Sequence, residues 1–214
     1  MYEILIGLII LSAVLYLTFA IFFNNNLIKY ILKPGTMFLI IVLAIYGSEL
    51  NSFYSYLIVS ALILSLFGDI FLMLSDKWFV HGLVSFLLGH ILYIIAFVYG
   101  YSYSFTSDTL IVIGSLLLIA VLFFCILFKG VKKEGGPPLL IAVAFYITVI
   151  STMLGLSILT GNKILMIAAL LFFISDGVLA INKFNKQFKL ADYVVMSTYF
   201  TAQLLFAISL GGHI

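Results

Sequence analysis

Charge is scarce in this chain. Only 8% of its 214 residues are charged, against roughly a quarter in soluble domains. Arginine is absent, so all 10 basic residues are lysine. A net charge of +2 carried on scattered lysines excludes a nucleic-acid partner, which needs a basic stripe or patch. The single cysteine, Cys125, excludes an internal disulfide and reads as a small lipid- or core-facing residue in an apolar run. No lysine stands in the middle of an apolar run, which removes a retinal-type Schiff base. No His-x3-His pair occurs, and His81 and His90 would lie about 13 Å apart along a helix, so neither a metal nor another cofactor is expected.

What remains is oil. Hydrophobic residues make up 65% of the chain, in runs of about 20 rather than alternating short segments, which points to membrane helices and not barrel strands. The expected fold is an all-α polytopic membrane helix bundle, one integral-membrane domain over residues 1–214. Eight transmembrane helices are predicted at 3–23, 34–47, 53–74, 79–100, 109–128, 139–159, 164–182 and 190–210. The second is short and must begin near Leu27 to cross about 30 Å of hydrocarbon at about 1.5 Å per residue. The first, with Glu3 and no early basic residue, reads as a retained span and not a secretory signal.

Lysine placement orients the bundle. Lys29, Lys33, Lys77, Lys129, Lys132, Lys133, Lys183, Lys186 and Lys189 fall on one side and only Lys163 on the other. The bias puts the lysine-rich loops in the cytoplasm and both termini outside it, in a multi-pass protein of the cell membrane. Spans 3 and 7 then both run inward, each with an aspartate about six residues before its end, or about 9 Å deep at 1.5 Å per residue. These are Asp69 in "LSLFGDIFLML" and Asp176 in "LFFISDGVLAINKF". Half the chain separates them, and the entries to spans 2 and 6 carry "KPG" and "GPP", a pattern that a tandem 4+4 duplication would produce.

A carboxylate inside a span costs several kcal/mol unless it lines a cavity or finds a partner. A bland reading of either aspartate is a hydrogen bond to a neighbouring helix; two at one depth favour a shared site. Asp76 and Asp108 read as solvated loop residues, and Asp192 as a helix-start residue. His90 sits near the middle of span 4, on one face with Phe86 and Tyr93. Tyr146, Tyr199 and Gln203 are polar tips in spans 6 and 8. Each alone reads as helix-packing glue; together they furnish a cavity with donors and acceptors. Lys33, beside Pro34 at the start of span 2, is either a snorkelling anchor or a cation for a phosphate head group.

These residues resemble a known pattern. "KP" at Lys33-Pro34, "GD" at Gly68-Asp69, "F..G...F..GH..Y" from Phe79 to Tyr93, Tyr146 with Met153, "LF..SD..LA...F" from Leu171 to Phe184 and "YF.AQ.L" from Tyr199 are similar, as an ordered set, to the YhhN family of lysoplasmalogenases. The chain departs from that pattern at Ala168, where a glycine is expected before "LF..SD".

The resemblance implies hydrolysis of the vinyl-ether bond of a lysophospholipid drawn from the bilayer. The products would be a fatty aldehyde and a glycerophospho-ethanolamine or -choline. It also implies Asp69 and Asp176 as the catalytic pair. Lys33, His90, Tyr93, Tyr146, Ser175, Tyr199 and Gln203 would hold substrate and water near the cytoplasmic leaflet.

Chemistry agrees with that assignment. A vinyl ether is cleaved by protonation at its β-carbon, which leaves an oxocarbenium ion for water to capture. The reaction needs a carboxylic acid that is still protonated near neutrality, together with an anion. Burial and pairing of carboxylates are the general means, and glycosidases meet a similar oxocarbenium with two of them. The residues alone leave open which aspartate is which. They also leave a competing class, a proton- or cation-coupled transporter built on the same two carboxylates. A third class is a membrane scaffold in which they only pack.

Overall fold

The computed structural model describes residues 1–23, 25–104 and 106–211, with the side chains of Asp76 and Asp108 outside the description. Helix is the regular structure of these residues, as a backbone in hydrocarbon must satisfy its own N–H and C=O groups. In chain order the helices are α1 (Tyr2–Leu15), continued by a π-helical stretch (Tyr16–Phe22), α2 (Asn26–Ser48), α3 (Phe53–Met73), α4 (Phe79–Gly100), α5 (Ser107–Leu159), α6 (Lys163–Phe184) and α7 (Ala191–Ile208). Seven helical segments, α1 being counted with its π-helical extension, are long and apolar enough to cross a membrane.

Side-chain caps set where several helices begin. Asn25 accepts a hydrogen bond from Ile28 N at 3.2 Å ahead of α2. Ser52 with Ser55 and Thr106 with Thr109 form capping boxes at α3 and α5. The Asn162 carbonyl oxygen takes Ile164 N and Leu165 N at 2.9 and 3.3 Å ahead of α6. Each such cap satisfies one or two of the four orphan amides of a helix start.

Two expectations about boundaries change. Pro34 does not open the second helix: α2 starts eight residues earlier and holds Pro34 in its interior. The reason is length, since a helix from Pro34 to Ser48 falls short of the about 20 residues a crossing needs. Lys29 and Lys33 are therefore helical residues rather than loop anchors. The two aspartates also sit at unequal offsets. Asp69 is four residues before the end of α3, whereas Asp176 is eight before the end of α6. The difference is about 6 Å of helix at about 1.5 Å per residue.

The 53-residue α5 is not one rod. Gly136 adopts φ 62° and ψ −156° just before Pro137 and Pro138, a left-handed backbone that glycine takes without penalty. There the chain doubles back. A Cβ placed on Gly155 would stand 3.0 Å from Leu116 Cδ1, although a straight helix would part these residues by about 58 Å. Leu127, Val131, Val143 and Ile147, from both arms, share a small core with Phe184 at the end of α6. A larger core joins α1 to α4, α6 and α7, with members from the second arm of α5 such as Met153.

The first arm of α5 meets α6 most tightly at Gly130, where a Cβ would lie 1.5 Å from the Phe184 carbonyl oxygen. Gly130→Ala should therefore destabilise the purified protein by about 1–3 kcal/mol or more, as overpacked sites do. Gly114→Ala, with nothing within 4 Å, should be neutral or stabilising. Thermal unfolding of the two variants in one detergent checks this, and equal midpoints would contradict the packing.

Candidate functional site

The site begins with a buried ion pair. Lys33 Nζ on α2 lies 2.9 Å from Asp69 Oδ1 on α3, with side chains 11% and 2% exposed. The Tyr199 hydroxyl on α7 donates to Asp69 Oδ2 at 2.7 Å. Both oxygens of Asp69 are thus engaged, by a cation and by a phenol, and three helices meet at one carboxylate. Gly68, next to it, makes room for the ring of Phe86, which a Cβ there would meet at 2.6 Å.

Asp176 on α6 has different company. The Tyr146 hydroxyl, from the second arm of α5, donates to Asp176 Oδ2 in a short hydrogen bond. His90 Nε2 on α4 stands 3.8 Å from the same oxygen, with its ring fully buried. Among the described residues neither ring nitrogen of His90 has a hydrogen-bond partner. Among the described residues no lysine stands in ion-pair range of Asp176.

Aromatic rings join the two carboxylate centres. Tyr199 meets Phe172 at 5.5 Å between centroids, and Phe172 meets His90 at 4.6 Å. Phe86 closes the group, 5.9 Å from Tyr199 and 6.2 Å from Phe172. Among the described residues no hydrogen bond joins the two carboxylates, and each keeps its own partners.

The remaining predicted residues are distributed around these centres. Tyr93 donates to Gln203 Oε1 at 2.8 Å, deep in the core, and among the described residues Ser65 Oγ lacks a hydrogen-bond partner. Ser175 is buried and donates to the Val195 carbonyl at 3.0 Å, so its hydroxyl ties α6 to α7. His90 and Phe86, on one face of α4, both pack on Phe172, while Tyr93 on the same face reaches Gln203. Sequence reasoning missed Phe172, whose ring touches both Tyr199 and His90, and Ser65. The latter stands one turn before Asp69, a spacing that could have found it. Among the described residues no group of three His, Cys, Asp or Glu side chains is placed to hold a metal ion.

Two cavities adjoin the centres. One lies among α4, both arms of α5 and α6. Tyr146 and Asp176 supply its polar side chains, and Leu87, Phe123, Val143 and Phe173 typify its otherwise apolar lining. Val80 and Val84 belong to that lining and are 54% and 47% exposed, so the cavity reaches the outer face of the bundle. The second lies at the starts of α2 and α7 and the end of α3 and is lined by Tyr16, Lys29, Tyr30, Lys33 and Asp192 among others. Leu179 lines both cavities.

Residues 28–210 match the model of the YhhN family. The chain belongs to that family. It is 32% identical over 157 residues to the pig (Sus scrofa) protein named lysoplasmalogenase TMEM86B, covering 73% of this chain and 64% of that one. Its identity to human (Homo sapiens) lysoplasmalogenase TMEM86B is 33% over 156 residues, covering 73% and 64%. To bovine (Bos taurus) lysoplasmalogenase TMEM86A it is 30% over 160 residues, covering 69% and 62%. The chain thus spans a little under two thirds of the length of these curated relatives. No solved structure matches it. For this member of the family, the ordered motif set of the sequence and the family match point the same way.

The Lys33–Asp69 pair generates a stability test. Removing one partner of a buried pair strands the other and typically costs about 3–5 kcal/mol, while replacing both with apolar residues is often neutral. Lys33→Met and Asp69→Leu should each lower the unfolding midpoint of the purified protein, and the double variant should recover most of the loss. Additive losses would show that the two side chains act independently.

Proposed function

We propose that this protein is a lysoplasmalogenase-like membrane hydrolase. It would cleave the vinyl-ether bond of a lysophospholipid to a fatty aldehyde and a glycerophospho-alcohol. The observation that carries the reading is the unequal surroundings of the two aspartates. Asp69 faces a lysine and Asp176 faces none, while Asp176 opens onto an apolar cavity that reaches the lipid face. The names of the curated relatives support the substrate class.

The unequal pairing supports a division of roles between the two aspartates. With Tyr146 donating to Oδ2, Asp176 carries its proton on Oδ1 and delivers it to the β-carbon of the enol ether. The C=C π electrons form the new C–H bond, and the ether oxygen lone pair forms the oxocarbenium. Water adds to the α-carbon and gives a proton back to the Asp176 carboxylate. The resulting hemiacetal then collapses to aldehyde and alcohol, with its hydroxyl proton passing to the leaving oxygen. His90 Nε2, 3.8 Å from Asp176 Oδ2, holds the water. Asp69, fixed by Lys33 and Tyr199, supplies the negative field that favours the cationic intermediate. An alkenyl tail lies in the apolar cavity and enters sideways between α4 and α5.

The proposed topology has eight crossings, because the break at Gly136 gives α5 two arms of membrane-spanning length. The lysine bias puts the site in the cytoplasmic half of the cell membrane. Reporter fusions after Lys133 and after Thr160 should then report opposite sides; the same side for both would refute the doubled α5.

Turnover is tested by incubating purified protein with lysoplasmalogen and measuring free aldehyde by mass spectrometry. Asp176→Asn should lower the rate by about 10²–10⁴, the range for removal of a general acid. In heavy water the rate should fall, with deuterium at C2 of the released aldehyde. An ester-linked lysolipid should bind and survive. Fatty acid released from it at a comparable rate, or an Asp176→Asn protein of normal activity, would overturn the mechanism. Absence of aldehyde together with proton-coupled uptake into vesicles would favour the transporter class.

A further inference from the structure

The polar cavity carries charge of both signs. Lys29 and Lys33 on α2 supply positive charge, and Asp192, in the first turn of α7, supplies a carboxylate. Two phenol rings line the same space. Tyr16 comes from the π-helical stretch after α1, is 5% exposed and packs edge-on against Phe200 at 5.5 Å. Tyr30 is held by its hydroxyl, which donates to the Met73 carbonyl at 2.8 Å. A departure from α-helical winding such as this π-helical stretch is often found where a helix serves a site.

A cavity that wanted only an anion would have no use for a carboxylate, and one that wanted only a cation would not hold two lysines. Cations, a carboxylate and ring faces together match a zwitterion whose phosphate and ammonium are a few bonds apart. The helix-start role expected for Asp192 accounts for its position along α7 but not for its place on the cavity wall. Lys33 has three N–H donors, so its bond to Asp69 leaves donors for a second anion. Leu179, shared with the apolar cavity, ties the head-group space to the tail space.

We propose that the polar cavity is a zwitterion site, in which Asp192 and the rings of Tyr16 and Tyr30 receive the ammonium of a lysolipid head group while Lys29 and Lys33 receive its phosphate. Asp192 is then a specificity-determining residue, remote from the reacting bond. The inference rests on the lysolipid reading above, but its test needs no turnover.

The probes are ester-linked lysolipids that differ in head group, with binding to the purified protein in nanodiscs measured by competition against one fluorescent lysolipid. Lysophosphatidylethanolamine and lysophosphatidylcholine should bind about fivefold or more tighter than lysophosphatidylglycerol, which has the phosphate and no ammonium. Asp192→Asn should bring the three lipids to within about twofold, and Asp192→Glu should retain the preference. Tyr30→Leu, at an exposed ring, should weaken the choline lipid more than the glycerol lipid, which keeps the test alive if an Asp192 variant fails to fold.

No head-group preference in the wild-type protein, or a preference that survives both Asp192→Asn and Tyr30→Leu, would overturn the assignment. Glycerophosphoethanolamine, with head group and no tail, should compete far more weakly than the lysolipid. Equal affinity would assign the cavity to a water-soluble ligand instead and would overturn the lipid source. Intact zwitterion selectivity with no aldehyde from lysoplasmalogen would refute the hydrolase and leave the head-group site standing.

Discussion

The contact among Lys33, Asp69 and Tyr199 is the constraint on which the rest of the bundle depends. A lysine and an aspartate within a membrane are each costly, and their cost falls only when they meet and the remaining lone pairs are satisfied. Asp69 achieves this with a lysine from α2 and a phenol from α7. Because neither partner is near Asp69 in sequence, the arrangement fixes the relative placement of α2, α3 and α7. It also decides how the polar cavity is walled, since the same α2 carries Lys29 and the same α7 carries Asp192.

The second aspartate is positioned by a different logic. Asp176 is approached by Tyr146 and His90, from α5 and α4, and Phe172 touches His90 on one side and Phe86 and Tyr199 on the other. This gives two carboxylates in one bundle with unequal surroundings, one cation-paired and one facing an apolar cavity. Equal surroundings would leave acid and stabiliser interchangeable. The asymmetry is what the proposed chemistry uses.

The space around the centres is divided by polarity, and Leu179 stands at the division. An amphipathic single-chain lipid is divided in the same way. In the proposed reading its tail occupies the cavity walled by Val84, Leu87 and Phe173, and its head group the one walled by lysines, tyrosines and a carboxylate. The kink at Gly136 makes the apolar cavity, because it returns the second arm of α5 alongside the first. Without it, Tyr146 would not reach Asp176.

Much of this was legible in the sequence. The scarcity of charge and the apolar runs determined a helical membrane bundle, because hydrocarbon leaves few other ways to satisfy a backbone. Asp69 and Asp176 stood out because an ionisable group in such a run is improbable without a use. The ordered motifs around them carried the family resemblance. Proximity across helices was not legible, since helical periodicity specifies which residues share a face but not what that face meets. Lys33 read as a snorkelling anchor or a phosphate-binding cation until α3 supplied Asp69 as its partner, while crossing length already required α2 to begin near Leu27, before Pro34. Asp192 read as a helix start, and Tyr16 carried no signal at all. Their meeting with Lys29 and Lys33 around one cavity comes from packing between residues far apart in the chain, which only the tertiary structure decides.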